Sequence, residues 1–363
     1  MNYKKKIIVL LLLIVVLSVI QYALRVYPRY LSFYDMFIFQ PWQYVRNVVF
    51  GYVPFSVGDI LYLLAGLGIV TVIIRWVIFL IKLRTHKGYL LASVIHTVIT
   101  FEAIYLLFIL GWGANYYKPT LTNYWELQVL KEHRNDSSTI REFDTYLVAK
   151  LNEYAPHYHS LPFKEVNRRA QLYYRQYTNT RSKLGSLNVK ASIFGYLMQN
   201  FAIQGYYNPF TGESQVNRFL PQFMLPFVVC HEMAHQAGIA AEDDANLLAY
   251  ALGTATNDTA FKYSCYFNIW LYAHNRLYRH DTAMAKKLEL VLNKLTLAQV
   301  DTLEDIRRRY NGDMSHYSSK LYDGYLKMHH QKDGIRSYGN VAISAWAWEE
   351  HRKLFRNMMI MIP

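Results

Sequence analysis

The five residues His231-Glu232-Met233-Ala234-His235 hold the chain's clearest chemistry. Two histidines four apart stand one above the other on a helix face, so both imidazoles can bind one metal ion. That donor pair suits Zn²⁺, which takes neutral imidazole nitrogen and in catalytic sites keeps one position open for water. Glu232, between them, is placed to act as the base for that water. The chemistry this predicts is metal-assisted hydrolysis, with His231 and His235 as ligands and Glu232 as the catalytic residue. An ordinary helix with solvated or paired His and Glu would carry the same five letters, so the surroundings must decide.

The surroundings favour a site. Pro226 falls where a helix starts and Gly238 where one ends. A second amphipathic run, Glu242-Asp243-Asp244-Ala245-Asn246-Leu247-Leu248-Ala249-Tyr250, begins a few residues later. A helix, a glycine turn and a second helix can return an acid to the metal as third ligand, completing a two-His, one-Glu set. Glu242 is the expected ligand, Asp244 its rival, and Asp243 a weaker one. Asn246, one turn beyond Glu242, can hydrogen-bond the groups around it. An acidic first turn that only complements the helix dipole is the plain alternative for these residues.

With His231, Glu232, His235, Glu242, Ala245 and Asn246 in place, the chain resembles the gluzincin-type metallopeptidases, whose pattern is His-Glu-x-x-His followed by Glu-x-x-Ala-Asp or Glu-x-x-Ala-Asn. A closer resemblance covers nearly the whole chain. It is similar to the bacterial membrane-protein family known as domain of unknown function 3810. The segments that carry this likeness are Pro54-Phe55-Ser56-Val57-Gly58-Asp59, Trp112-Gly113-Ala114-Asn115-Tyr116, Tyr207-Asn208-Pro209-Phe210-Thr211-Gly212-Glu213, the metal motif, and Gly334-Ile335-Arg336-Ser337-Tyr338-Gly339. That family implies membership and no substrate.

The elements that must carry the site fall into two halves. Mean hydropathy is near zero over 363 residues, but residues 7–24, 60–81 and 91–112 are apolar runs of membrane-spanning length. Residues 1–113 are therefore expected to form a three-helix transmembrane anchor, and 114–363 an extracytoplasmic catalytic domain. Lys4, Lys5 and Lys6 precede the first run, and Lys82, Arg84 and Lys87 crowd the link between the second and third. Both segments should then be cytoplasmic, which leaves the C-terminal domain outside or in the periplasm, on a bacterial cytoplasmic (inner) membrane protein. No small-x-small cleavage site follows the first run, so it reads as a retained anchor rather than a signal peptide. Arg75, His96 and Glu102 lie at membrane depth, where an Arg75–Glu102 pair between helices is expected.

The net charge of +13 does not point to nucleic acid. Residues 1–120 carry eleven Lys or Arg against three acids, which is eight of the thirteen net charges, and these flank the membrane runs. The bilayer is the expected partner there, together with a peptide or protein substrate, including one held in the same membrane. Cys230 and Cys265, the only cysteines, read as buried thiols. The 32 tyrosines suit an interfacial belt and the core.

In the C-terminal part, helices are expected from Thr139 to about Tyr154, from Phe163 to Tyr177, and over 258–279, 282–295, 297–310, 315–330 and 341–357. Val189 to Val216 reads as strand, turn, strand about Asn208-Pro209-Phe210-Thr211-Gly212. In zincin-like peptidases such an edge strand receives the substrate backbone, and by analogy this small sheet can do the same. The expected fold is thus an α-rich membrane protein whose α+β, zincin-like metallopeptidase domain includes a small β-sheet. Hydrolysis also needs a donor for the oxyanion, and Tyr338, Arg336 and Tyr325 are the candidates. His274, His280, His316, His329 and His330 have no ligand-like spacing and read as surface or satisfied core histidines.

The reading these residues support is a membrane-anchored zinc peptidase that attacks peptide bonds through a zinc-bound water with Glu232 as general base. A zinc amidase acting on cell-wall or other non-protein amides would use the same residues. A membrane scaffold or sensor with a non-catalytic site is the third reading, and an intact Glu232 argues against it. Cleavage inside the bilayer is disfavoured because only about nine apolar residues precede His231 and acids follow closely.

Overall fold

A computed structural model describes residues 3–127, 137–180, 184–310, 338–354 and 359–363. It is helix-rich and divides into two compact units, the first formed by Met1–Lys118 with Asn208–Glu213 and the second by Pro119–Tyr207 with Ser214–Pro363.

The apolar runs become the long helices of the first unit: α1 (Tyr3–Val26), α4 (Val57–Ile81) and α5 (Leu83–Gly111). All three are long and apolar enough to cross a bilayer, and each leaves nearly all of its apolar surface uncovered by protein, as lipid-facing helices do. Between α1 and α4 the chain forms α2 (Pro28–Tyr34), a π-helical turn (Asp35–Phe39) and α3 (Gln40–Gly51). The expected Arg75–Glu102 pair is not formed. The Arg75 guanidinium lies over the Phe79 ring of its own helix, 5.9 Å from its centroid and just inside the reach of about 6 Å of such contacts.

The loop Asn208–Glu213 is built into this first unit by polar bonds. Asn208 Oδ1 accepts from the Phe210 and Thr211 amides, closing a tight turn that ends at Gly212, whose φ of +69° favours glycine. Buried Arg46 of α3 donates to the carbonyls of Pro209 and Gly111 and to Gln43 Oε1. Gln43 Nε2 donates to the Gly212 carbonyl. Glu213 accepts from the Val57 and Gly58 amides at 3.3 and 2.6 Å, meeting two orphan donors at the start of α4. Three of the segments that carry the family likeness (54–59, 112–116 and 207–213) thus contribute to this unit or to the strand that leaves it.

The second unit contains α6 (Leu121–Tyr124), α7 (Ser137–Tyr154), α8 (Phe163–Tyr177), β1 (Val189–Ala191), α9 (Gly195–Asn200), β2 (Gly205–Tyr207) and β3 (Ser214–Val216). After them come α10 (Leu225–Gln236), α11 (Glu242–Ala255), α12 (Thr259–His280), α13 (Thr282–Glu289), α14 (Lys294–Tyr310) and α15 (Tyr338–Leu354). The expected helix over 315–330 lies outside the described residues. The sheet order is β1-β3-β2, with β1 parallel and β2 antiparallel to the central β3. The reading of Val189 to Val216 as strand, turn, strand corresponds to β2 and β3, and β1 is the added parallel member.

Helices α10 and α11 form the centre of the second unit, and nearly every residue of both is buried. The Glu349 carboxylate fastens α15 to α11 and α7, accepting from Tyr250 and Tyr146 hydroxyls at 2.9 Å each and from Arg352 at 2.8 Å. His274 of α12 joins two further helices, its Nδ1 2.9 Å from buried Asp144 of α7 and its Nε2 3.0 Å from Glu289 of α13. It is a satisfied core histidine. Cys230 and Cys265 are both buried and unbridged.

Candidate metal centre

Helix α10 begins with Pro226 at its first turn, where a missing N–H costs nothing. The Phe227 amide, one of the orphan donors there, is met by Ser264 Oγ of α12 at 3.1 Å. The helix ends at Gly238, whose φ of +88° lets the chain reverse, and the Ile239 amide returns to the Ala234 carbonyl at 3.1 Å. That reversal points the Ile239 carbonyl back at the last turn. His235 Nδ1–H donates to it at 2.7 Å, which fixes the tautomer and leaves Nε2 as the lone-pair donor.

The same short turn starts α11 with Glu242 against the two histidines. Ligand-type atoms of His231, His235 and Glu242 all lie within 4.8 Å of one another. Nε2 of His235 is 3.1 Å from Nε2 of His231. The Glu242 carboxylate is 3.2 Å from His231 Nε2 through one oxygen and 3.6 Å from His235 Nε2 through the other. A tetrahedral ion with bonds of 2.0–2.1 Å separates its ligands by about 3.3–3.4 Å. The triangle therefore fits a zinc-sized ion. Two imidazole nitrogens that both present lone pairs at 3.1 Å repel unless a cation or proton lies between them.

The rival Asp244 is committed elsewhere. Its buried carboxylate accepts from the Leu121 amide at 3.0 Å. Asn246 is buried beside the His231 ring, where it helps to raise that imidazole's pKa. Of the expected oxyanion donors, Tyr325 and Arg336 lie outside the described residues. Tyr338 supplies the first backbone position of α15, and its side chain is outside them too.

Glu232 is 3% exposed, and its Oε2 has no hydrogen-bond partner. Burial pushes its carboxyl up to about 8, against the pull of His231 and with the help of Glu242's charge. Burial also holds His235 down to about 4. For His231 burial works in the same direction, but the hydrogen bond and charge of Glu242 outweigh it and raise the imidazole.

The sheet packs against this helix. Ser214 Oγ of β3 donates to the Glu232 carbonyl at 2.7 Å. Gly205 of β2 lies so near the Glu232 side chain that a Cβ there would fall 2.3 Å from Oε1. β2 is an edge strand. The bonds from Asn217 N–H to the Gln204 carbonyl and from Asn208 N–H to the Glu213 carbonyl fix the alternation of the ladder. Tyr206 therefore aims its backbone groups at β3, and Gly205 and Tyr207 aim theirs to the opposite side.

One side chain near the centre escaped the sequence reading. Helices α11 and α12 run antiparallel, with Cys265 Sγ donating to the Ala249 carbonyl at 3.4 Å and the Gly253 Cα facing Cys265 and the Phe261 carbonyl. Tyr272 of α12 lies near enough to Glu242 to feel its charge. Burial, then the charge of Glu242, pushes the Tyr272 phenol up from its ordinary range.

The model of the family described as "Protein of unknown function (DUF3810)" matches residues 34–343. The chain belongs to that family. Comparison with curated proteins and with solved structures found no match.

Proposed function

We propose that this protein is a membrane-anchored, zinc-dependent peptidase whose second unit is a zincin-like catalytic domain outside the cytoplasm. The observation that carries the reading is the union of a tetrahedral-sized His231–His235–Glu242 triangle with a buried, partly unpartnered Glu232 carboxylate. His231, His235 and Glu242 hold the ion, and the Ile239 carbonyl orients the His235 imidazole. When bound, zinc polarises a carbonyl and brings the pKa of water to about 7.

Glu232 performs the proton work. Its carboxylate takes a proton from the attacking water as the new C–O bond forms, then delivers it to the nitrogen as the C–N bond breaks. The edge of β2 supports a peptide over a cell-wall amide, because an extended backbone can run along the outward side of Gly205 beside the base. The basic residues that flank the apolar helices support the orientation.

The test is elemental analysis of detergent-purified protein. We expect about one zinc per chain, lost in His235→Ala and Glu242→Ala and kept in Glu232→Gln. Zinc kept in Glu242→Ala would return the third-ligand role to an acid such as Asp244. No metal in the wild type after zinc is supplied would overturn the reading.

A further inference from the structure

The segment between α1 and α4 is built inside out. In α3 the fully covered side chains are the polar Gln43 and Arg46, while Trp42, Val45 and Val49 are between 47 and 55% exposed. The pattern holds in the π-helical turn before it, where Met36 and Phe37 are 60 and 62% exposed. A helix lying on a protein in water buries the opposite face. Here protein takes up the polar side: Gln43 and Arg46 donate to the Gly212 and Pro209 carbonyls of the turn that joins β2 to β3.

Contacts among the spanning helices fix where this segment lies on them. Tyr3 of α1 donates to the Gly88 carbonyl early in α5, and Gln21 donates to Tyr105 late in α5, so these two helices run the same way. Helix α4 runs against them, with Trp76 near its end donating to Ser93. The end of α1, the start of α4 and the end of α5 therefore share one end of the bundle, opposite the link at Lys82. Arg46 reaches the carbonyl of Gly111, the last residue of α5, and Asp35 pairs with Lys118 just beyond it. Residues 28–51 keep a right-handed helical backbone across both of their internal joints, a run of about 36 Å at 1.5 Å per residue. A run that leaves α1 and enters α4 at the same end of the bundle does not cross the bilayer.

We infer that residues 28–51 form an in-plane helix whose apolar side lies in lipid at the membrane surface opposite the Lys82 link, and whose polar side clamps the turn between β2 and β3. Lipid is the occupant because the exposed side adjoins, through α1 and α5, the uncovered apolar surfaces of the spanning helices. Its composition agrees. Trp42 and Tyr44 are exposed, and Arg29 lies over the Tyr27 and Tyr30 rings, as aromatic and basic groups do at the headgroup level. The inference is independent of the metal centre.

The test attaches a nitroxide to the full-length protein in vesicles of phosphatidylcholine and phosphatidylglycerol. Its collisions are read with oxygen, which concentrates in lipid, and with a water-soluble nickel chelate. Met36→Cys, Val45→Cys and Val49→Cys report on the apolar side. Val70→Cys, midway along α4, and Asp301→Cys, exposed on α14, are the deep-lipid and water references. The wild type, with Cys230 and Cys265 buried, supplies the blank. We expect each of the three labels to show an oxygen-to-chelate ratio between the two references, at a depth of about 5–10 Å into the headgroup–acyl boundary. The sites are read separately, so one misfolded variant leaves two readings. A ratio equal to that of Asp301→Cys would put the helix in water, and one equal to that of Val70→Cys would make it a deep, crossing element. Few collisions with either reagent would put protein on the face, a second copy included. Any of the three results overturns the inference.

Discussion

Replacing Gly205 by alanine tests the closest contact in the centre. The added Cβ would sit 2.3 Å from Glu232 Oε1, 2.7 Å from its Cδ and 2.8 Å from the Gln215 carbonyl oxygen. The first distance is about 1 Å short of ordinary contact, and Gly205 has no left-handed φ, so the penalty is steric. Either the carboxylate turns or β2 shifts away from α10. Overpacking of this kind costs about 1–3 kcal/mol, and each kcal/mol lowers Tm by about 2–4 °C in a unit of this size. Combining Gly205→Ala with Glu232→Ala removes the two shortest contacts and leaves the Gln215 carbonyl, so relief should be partial. We expect the double variant to be more stable than the sum of the single changes by about 1 kcal/mol. The assay is thermal unfolding of the detergent-purified protein, with zinc content measured in parallel and expected to stay near the wild-type value. A Gly205→Ala protein as stable as the wild type, or strictly additive losses, would show that β2 does not lie against the base.

Two further perturbations probe the supports. Asn246→Ala removes the amide beside His231 and should weaken zinc binding by about 10- to 100-fold, read by competition with a chelating dye; unchanged affinity would leave Asn246 a packing residue. His274 tests the charge contacts among α7, α12 and α13. Burial opposes its protonation, but Asp144 and Glu289 outweigh this and raise its pKa above 6.5. A raised folded-state pKa gives stability that is full below the unfolded value and is lost as pH climbs through the folded one. Tm should therefore fall as pH rises above about 6.5, and His274→Gln should flatten that part of the profile. A profile with the same slope in both proteins would refute the assignment.

The spacing of His231 and His235 was legible in the sequence because it depends on helix geometry alone. So was the Gly238 turn, since only a left-handed residue ends α10 in time to bring Glu242 back. The choice between Glu242 and Asp244 was open for a physical reason: both stand in the first turn of α11, and what removes Asp244 is the Leu121 amide, 123 residues away. Tyr272 was hidden in the same manner. Its nearness to Glu242 depends on how two helices pack, which no local pattern encodes. The expected Arg75–Glu102 pair is replaced by a contact of Arg75 with Phe79 one turn along its own helix: a hydropathy run marks membrane depth but does not say which groups on two helices meet. The strand and turn signals located β2 and β3, and the parallel strand β1 needed a partner that its own three residues do not specify.

Glu232 is where the fold argues most strongly for chemistry. Burial takes its carboxyl up to about 8, one of its oxygens is left without a partner, and the strand beside it must carry glycine to make room. Each of these features is unfavourable for stability. An apolar side chain of similar size would remove the first two at no loss of packing. A structural metal site would require only His231, His235 and Glu242, and the bond that orients His235 runs to the Ile239 carbonyl. Unfavourable features gathered on one side chain that the ligand set does not need are the mark of a group kept for reaction. Glu232→Gln is thus expected to leave zinc content intact and, in the metal-free protein, to raise Tm progressively as pH climbs from about 4.5 to about 8, the range in which the unfolded carboxyl ionises and the buried one still holds its proton.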